Sequence, residues 1–379
     1  MKPTERSFLP TSAAATATPV AAREIFSFLR TGRAPPNPNS PAQHDICVGP
    51  EASRVPWPTS FPAARQCRYW EAAQTACERL IHESRVLRSR EGKLLPKGFL
   101  CADSNHDVLT RQERAIVDTA VSAAIYIVPN APVERIKIIA QLFMLLWTHD
   151  EMLTAFPLFQ GETVVDTITQ YMYDLSKNDG SIPENTIVSS IELSPELLNE
   201  GHGLLRVVLG HFCSFVFFTR EQQRTQFQDI RDFLNYRATD IAADFVSACI
   251  RFGNQLDLNA QELKGVQHLV DVASDHMTLI NDLFSFNKEK KASIEEGALF
   301  LNTVHYIETV LEINSLLAKD VTLSLAQDYE AKIEAEIMRL RQGPPLGHQQ
   351  WSYVYAMVEA ASGNLLFSIT SIRYGAKTT

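Results

Sequence analysis

The stretch TLINDLFSFNKEKK, residues 278–291, carries Asn281, Ser285 and Glu289 at four-residue intervals. On an α-helix each such step advances about 40° beyond a full turn, so the three oxygen-bearing side chains share an arc of roughly 80° on one face. Their axial spread is about 12 Å, and because helical side chains lean toward the N-terminus the long Glu289 reaches back toward the other two. An amide oxygen, a hydroxyl and a carboxylate make a hard, oxygen-only donor set, suited to Mg2+ completed by water and phosphate rather than to zinc. Lys288, seven residues after Asn281, lies about 20° from it and would meet an anion held by that ion. Phe284 sits about 60° from Asn281 and borders the same face, whereas Phe286 points away. Spacing alone also fits an ordinary polar stripe on an amphipathic helix.

Outward from this stretch the apolar spacing is helical almost throughout, from about residue 62 to the end. The expected helical segments include ARQCRYWEAAQTACERLIHESR, RQERAIVDTAVSAAIYIV, VERIKIIAQLFMLLWTHDEMLTAF, GETVVDTITQYMYDLSK and RTQFQDIRDFLNYRATDIAADFVSACIRFG. LNTVHYIETVLEINSLL and WSYVYAMVEAASGNLLFSITSIRY are of the same kind. No alternating strand set, GxGxxG or P-loop is present, which argues against a nucleotide-binding α/β sheet. Segments such as IKIIAQLFMLLW and CSFVFF are apolar on more than one face, as helices surrounded by other helices are. The expectation is an all-α, single-domain bundle around a central apolar cavity, spanning residues 59–379. Residues 1–58, rich in small residues and proline, read as a mobile arm with at most one short helix near REIFSFLR.

With 379 residues, 45% of them hydrophobic, the chain can bury a large core. Its net charge of -9 argues against nucleic acid or an anionic membrane as the main partner and suits a bound divalent cation better. Cys47, Cys67, Cys77, Cys101, Cys213 and Cys249 show no zinc-like or disulfide-framework spacing and read as reduced thiols of a cytoplasmic protein. No secretory signal is evident, and no run approaches the roughly 20 apolar residues of a membrane span.

Two further constellations carry chemistry. In LLWTHDEMLTAF, Asp150 and Glu151 follow a very apolar run, either marking a return to solvent or placing carboxylate metal ligands at the mouth of a cavity whose wall holds Phe143, Leu146 and Trp147. In NYRATDIAADF, Arg237 and Asp240 are three apart and can pair on one helix face. Most such pairs are surface ion pairs, but an aspartate can also aim a guanidinium at a phosphate, which arginine grips with two parallel hydrogen bonds. Arg373 and Tyr374, in SITSIRYGAK, are potential donors to the same anion, although an arginine there also suits a helix C-terminus.

These motifs together resemble the class I terpene synthases, most closely fungal sesquiterpene cyclases of the trichodiene and longiborneol synthase kind. NDLFSFNKE resembles that family's second metal-binding motif, with Asn281, Ser285 and Glu289 at the ligand positions and Lys288 before the glutamate. Arg237, 44 residues upstream of Asn281, resembles the diphosphate-sensing arginine. Asp240 and Ile241 fall where the family has its linker and helix-break trigger, and Arg373 and Tyr374 resemble its Arg-Tyr pair. The first motif departs from DDxxD: it reads Asp150, Glu151, Met152, Leu153, Thr154, with no carboxylate at its fifth position. Ile241 replaces the commoner glycine, at a position whose function is supplied by a backbone oxygen.

The resemblance implies three Mg2+ ions shared between the Asp150 side and the Asn281/Ser285/Glu289 side, clamping the diphosphate of farnesyl diphosphate. Arg237, Lys288, Arg373 and Tyr374 would be the diphosphate donors. Ionisation would give an allylic carbocation that cyclises in a dry apolar pocket, with Phe143, Trp147, Phe284 and Phe367 as candidate aromatic walls. A homodimer is also implied. Two rivals share the helical architecture: a prenyl chain-elongating transferase, which normally has a second aspartate-rich motif, and a non-catalytic binding protein with a degenerate metal site. His149-Asp150 also matches the dipeptide of HD-type phosphohydrolases, but His202, His211 and His276 complete no convincing ligand set around it.

Overall fold

The computed structural model describes residues 8–9, 21–32, 44–91, 108–155, 197, 203–219, 221–375 and 377–378, with 8–9, 84–91, 150–155 and 377–378 described by backbone alone. The long helices are α3 (Trp70–Glu91), α4 (Arg111–Ile127), α5 (Val133–Ala155), α6 (Leu204–Phe218), α7 (Ile230–Asp240) and α8 (Ala243–Gly253). They continue with α9 (Ala260–Glu296), α10 (Thr303–Val310), α11 (Ser315–Gln342) and α12 (His348–Thr370), after which a 3-10 turn runs over Ile372–Tyr374. Two one-turn helices, α1 (Phe28–Thr31) and α2 (Pro50–Ser53), precede them. The segment expected as a helix at 161–177 lies outside the described residues.

The 37-residue α9 is the axis of the molecule and contacts α11, α12, α10 and α7. It begins at a capping box, in which Asn259 Oδ1 accepts from the N–H groups of Gln261 and Glu262 while Glu262 accepts from the Asn259 N–H. It ends at Gly297, whose φ of 70° is a left-handed stop that glycine adopts without strain. Its apolar residues Leu269, Ala273, Leu279, Ile280 and Leu283 lie in one core with Ile136 to Leu146 of α5 and Tyr353 to Ile369 of α12. At Gly363, α12 meets α4 backbone to backbone: a Cβ there would lie 1.9 Å from the Tyr126 carbonyl oxygen.

Three expected elements differ from the structure. The helix expected over 224–253 is two helices, because Ala242 takes a left-handed φ of 60° and turns the chain between α7 and α8. Such a conformation in a non-glycine residue costs on the order of 1–2 kcal/mol. The segment expected as one helix over 301–317 is α10 followed by a restart at Ser315, capped by Asn314. Ala64–Cys67, expected as the start of a helix, is strand β3, paired antiparallel with β2 (Asp45–Val48). A second short pairing joins β1 (Phe8–Leu9) to β4 (Lys377–Thr378).

The described part of residues 1–58 packs onto the helices. Phe26 and Leu29 are fully buried, and the Phe26 ring lies 4.8 Å from that of Phe61. Arg65 Nε donates to Asp45 Oδ2 at 2.6 Å and its Nη1 to the Leu29 carbonyl at 3.2 Å. A segment poor in apolar residues still folds when a preformed surface receives its few large ones.

Candidate active site and metal centre

Arg237 leaves the last turn of α7 and is only 6% exposed. Its guanidinium meets three carboxylates. It donates to Asp282 Oδ1 from Nη2 at 2.7 Å and from Nε at 3.0 Å, to Asp240 from Nη1, and to Glu289 Oε1 from Nη2 at 3.5 Å. Asp282 is fully buried, and its Oδ2 accepts from the Thr303 N–H at 2.7 Å and the Thr303 hydroxyl at 2.6 Å. Asn302 completes the hub from below, its Nδ2 donating to Glu289 Oε2 at 2.9 Å and to the Asp282 carbonyl at 2.9 Å, with Ser285 Oγ at 3.5 Å.

Three carboxyl groups thus meet at one guanidinium. Burial, foremost, pushes the Glu289 carboxyl above its ordinary value; nearby Asp282 adds to the rise, against the pull of Arg237, Asn302 and Ser285. For Arg237 burial works against the charged form, but Asp282, Asp240 and Glu289 outweigh it and hold the guanidinium well above its usual value.

At the other side of the site, Asn281 Nδ2 donates to the Tyr374 hydroxyl at 2.9 Å. Tyr374 sits edge-on to Phe367 at 5.9 Å, Phe367 stacks on Trp147 at 5.8 Å, and Trp147 stacks on Phe143 at 5.3 Å. The Arg373 guanidinium lies 5.9 Å from the Trp147 ring centre. This aromatic column ties α5 to α9 through the final turn, and Asp150 and Glu151 stand about one turn beyond Trp147 on α5. The side chains of those two residues lie outside the described part of the chain. Ile241 caps α7, and Lys288 is partly buried beside Glu289 in sequence. Phe284 is buried, as are Phe143 and Phe367.

The donors fit a hard divalent cation. The bond from Nδ2 to Tyr374 leaves Asn281 Oδ1 as the oxygen donor, and Ser285 Oγ and Glu289 follow along the same face. Among the described residues no three His, Cys, Asp or Glu side chains are grouped so as to hold a metal ion. Sequence reading overlooked Asp282, Asn302 and Thr303. Asp282 was visible as a lone charge between Ile280 and Leu283, but it lies about 100° round the helix from Asn281 and so fell off the polar stripe. Nothing in the spacing brings Asn302 to Glu289.

The description "Terpene synthase family 2, C-terminal metal binding" matches residues 203–321, the stretch that holds Arg237, Asn281, Ser285, Glu289 and Asn302. Terpene cyclase 6 of Gibberella fujikuroi is 30% identical over 336 residues, covering 89% of this chain and 87% of that protein. The chain belongs to the terpene synthase family and is a terpene cyclase, a lyase-type enzyme with a metal-binding domain and an isoprenoid diphosphate as its substrate class. Terpene cyclase aneC of Aspergillus aculeatus is 27% identical over 360 residues (94% of this chain, 78% of the relative), and aristolochene synthase of Aspergillus terreus 23% over 253 residues (65% and 77%). The crystal structure of aristolochene synthase from Penicillium roqueforti shares the fold, with a TM-score of 0.56 at 18% identity over 76% of this chain and 93% of that one. No helix among the described residues is long and apolar enough to cross a membrane.

Proposed function

We propose that the protein is a sesquiterpene synthase that ionises farnesyl diphosphate with Mg2+ and cyclises the resulting carbocation, releasing pyrophosphate. The observation that carries this reading is the convergence of Arg237 with the Asn281, Ser285 and Glu289 face in one carboxylate-rich hub, joined by Tyr374 to an aromatic column. Asn281, Ser285 and Glu289 would hold metal on one side and Asp150, with Glu151 near it, on the other. Mg2+, three ions by resemblance, would neutralise the departing diphosphate and so lower the barrier to C–O ionisation.

The remaining work falls to the chain itself. Arg237 donates to the diphosphate once its carboxylates are shared with cations, and Asp240 keeps the guanidinium aimed. Lys288, Arg373 and Tyr374 supply further donors, and the Ile241 carbonyl at the α7–α8 break acts as the trigger. Trp147, Phe143 and Phe367 present faces that stabilise positive charge and exclude water, with Phe284 as a further wall. The fifteen-carbon substrate rests on the resemblance of the motifs to sesquiterpene cyclases, and a cytoplasmic homodimer is part of the same reading.

Incubating purified protein with geranyl, farnesyl and geranylgeranyl diphosphates plus Mg2+, then analysing extracted volatiles by mass spectrometry, tests it. A fifteen-carbon volatile from the farnesyl substrate is expected. Longer prenyl diphosphates on addition of isopentenyl diphosphate, or no turnover of any substrate, overturn the reading.

A further inference from the structure

We propose that Asn302 is a positioning residue of the metal site, holding Glu289 and Ser285 in the orientation in which their oxygens serve one cation. The inference rests on the reading of those two residues as ligands. Asn302 is the N-cap of α10: its Oδ1 accepts from the Val304 N–H at 2.9 Å. That duty asks only for an acceptor, and Asp, Ser or Thr would meet it. What sets asparagine apart is the amide nitrogen, which faces Glu289 Oε2, the Asp282 carbonyl and Ser285 Oγ together.

Two other asparagine caps give the contrast. Asn259 and Asn314 cap α9 and α11 with their Oδ1 atoms, and both are exposed, so water satisfies their amide nitrogens. Asn302 is 1% exposed, and a buried amide donor must find protein acceptors or cost about 1–3 kcal/mol. Here the acceptors it finds are two of the three side chains on the ligand face, Ser285 and Glu289, and the Asp282 carbonyl three residues before Ser285. Thr303 adjoins it and holds Asp282, which in turn holds Arg237. The start of α10 thus sets ligand orientation and arginine aim through adjacent residues. Groups that orient metal ligands in this way typically lose 10–100-fold in metal affinity when replaced.

The test is calorimetric titration of Mg2+ in the presence of inorganic pyrophosphate, on the full chain, for wild type, Asn302→Ser, Asn302→Asp and Asn314→Ser, with thermal unfolding alongside. Serine and aspartate both retain a cap. Serine is too short to donate to Glu289, and aspartate replaces the donor with a like charge. The expected result is a 10–100-fold weaker affinity for Asn302→Ser, a still weaker one for Asn302→Asp, and wild-type affinity for Asn314→Ser. Asn302→Ser should unfold within a few degrees of the wild type, and Asn302→Asp, which buries a second carboxylate beside Glu289, lower but still cooperatively. Wild-type affinity in both Asn302 variants, or tighter binding by Asn302→Asp, overturns the proposal. A loss confined to a variant that no longer unfolds cooperatively also overturns it, since the other variant then reads as wild type. Failure of the wild type itself to bind Mg2+ with pyrophosphate instead sinks the parent reading.

Discussion

Two faces of α9, about 120° apart, each bury an acid in a network of named partners, and they are built to opposite ends. On one face Glu330 of α11, 1% exposed, accepts from the Thr59 hydroxyl, from the N–H and hydroxyl of Ser60, and lies 3.5 Å from His276 Nε2. Burial alone would raise its carboxyl, but His276, Ser60 and Thr59 outweigh burial and hold it below the ordinary range. On the other face one guanidinium serves Asp282, Asp240 and Glu289, and Glu289 is held above that range. The first network fastens the segment 59–61 to the helices through Glu330, with both ring nitrogens of His276 buried and without a hydrogen-bond partner among the described residues. The second gathers three carboxyl groups on one guanidinium, beside the face proposed to hold metal. The same buried acid type is thus lowered where neutral donors and an imidazole surround it and raised where a second carboxylate lies beside it.

The sharpest way to break the contrast is Arg237→Ala, which leaves the buried Asp282 without its cation. Loss of one partner from a buried pair costs about 3–5 kcal/mol, so urea unfolding should show the largest destabilisation of the set and product formation should vanish. Next comes Glu330→Gln, expected to cost about 1–3 kcal/mol at neutral pH by leaving donors around residue 330 poorly matched. Because the folded carboxyl lies below its unfolded value, its contribution is full above roughly pH 4.5 and is lost as acid protonates it in the fold. Wild type and Glu330→Gln should therefore converge in stability as the pH falls below about 4; parallel curves would show that the network is not what lowers this acid.

Smaller in stability but decisive for chemistry are Asn281→Ala and Asp150→Ala. Both should abolish Mg2+-dependent pyrophosphate release while circular dichroism stays helical, and unchanged turnover in either would count against the assignment of ligands. The smallest change, and one opposite in sign, is expected for Glu289→Gln. An acid whose folded value is raised costs stability once the pH exceeds its unfolded value, so a neutral isostere should melt no lower than wild type at pH 7.5 while losing its response to Mg2+. A clear drop in melting temperature would mean that Glu289 is a structural acid like Glu330.

The helical class and the 281, 285, 289 stripe were legible because both are matters of period along one chain segment. Arg237 was legible through its distance in sequence from that stripe. The acid that joins the two, Asp282, was not, since period reports a face and not the neighbour packed on it. The same holds for Asn302, whose role arises only when the α9–α10 connection folds back on Glu289. Strand β3 and the burial of Phe26 and Leu29 were hidden for a different reason: short segments are shaped by the surface they land on. The turn between α7 and α8 depends on a left-handed alanine, a conformation that residue identity disfavours.

Gly363 lets α12 and α4 touch without any side chain between them, one turn ahead of Phe367. Helices so closely apposed have no slack with which to slide or roll, so Phe367, proposed as a wall of the pocket, keeps a fixed height and bearing. New product profiles in this lineage would then have to arise by exchanging one ring or methyl for another on a stationary rail, and alanine at 363 would disturb every such exchange at once.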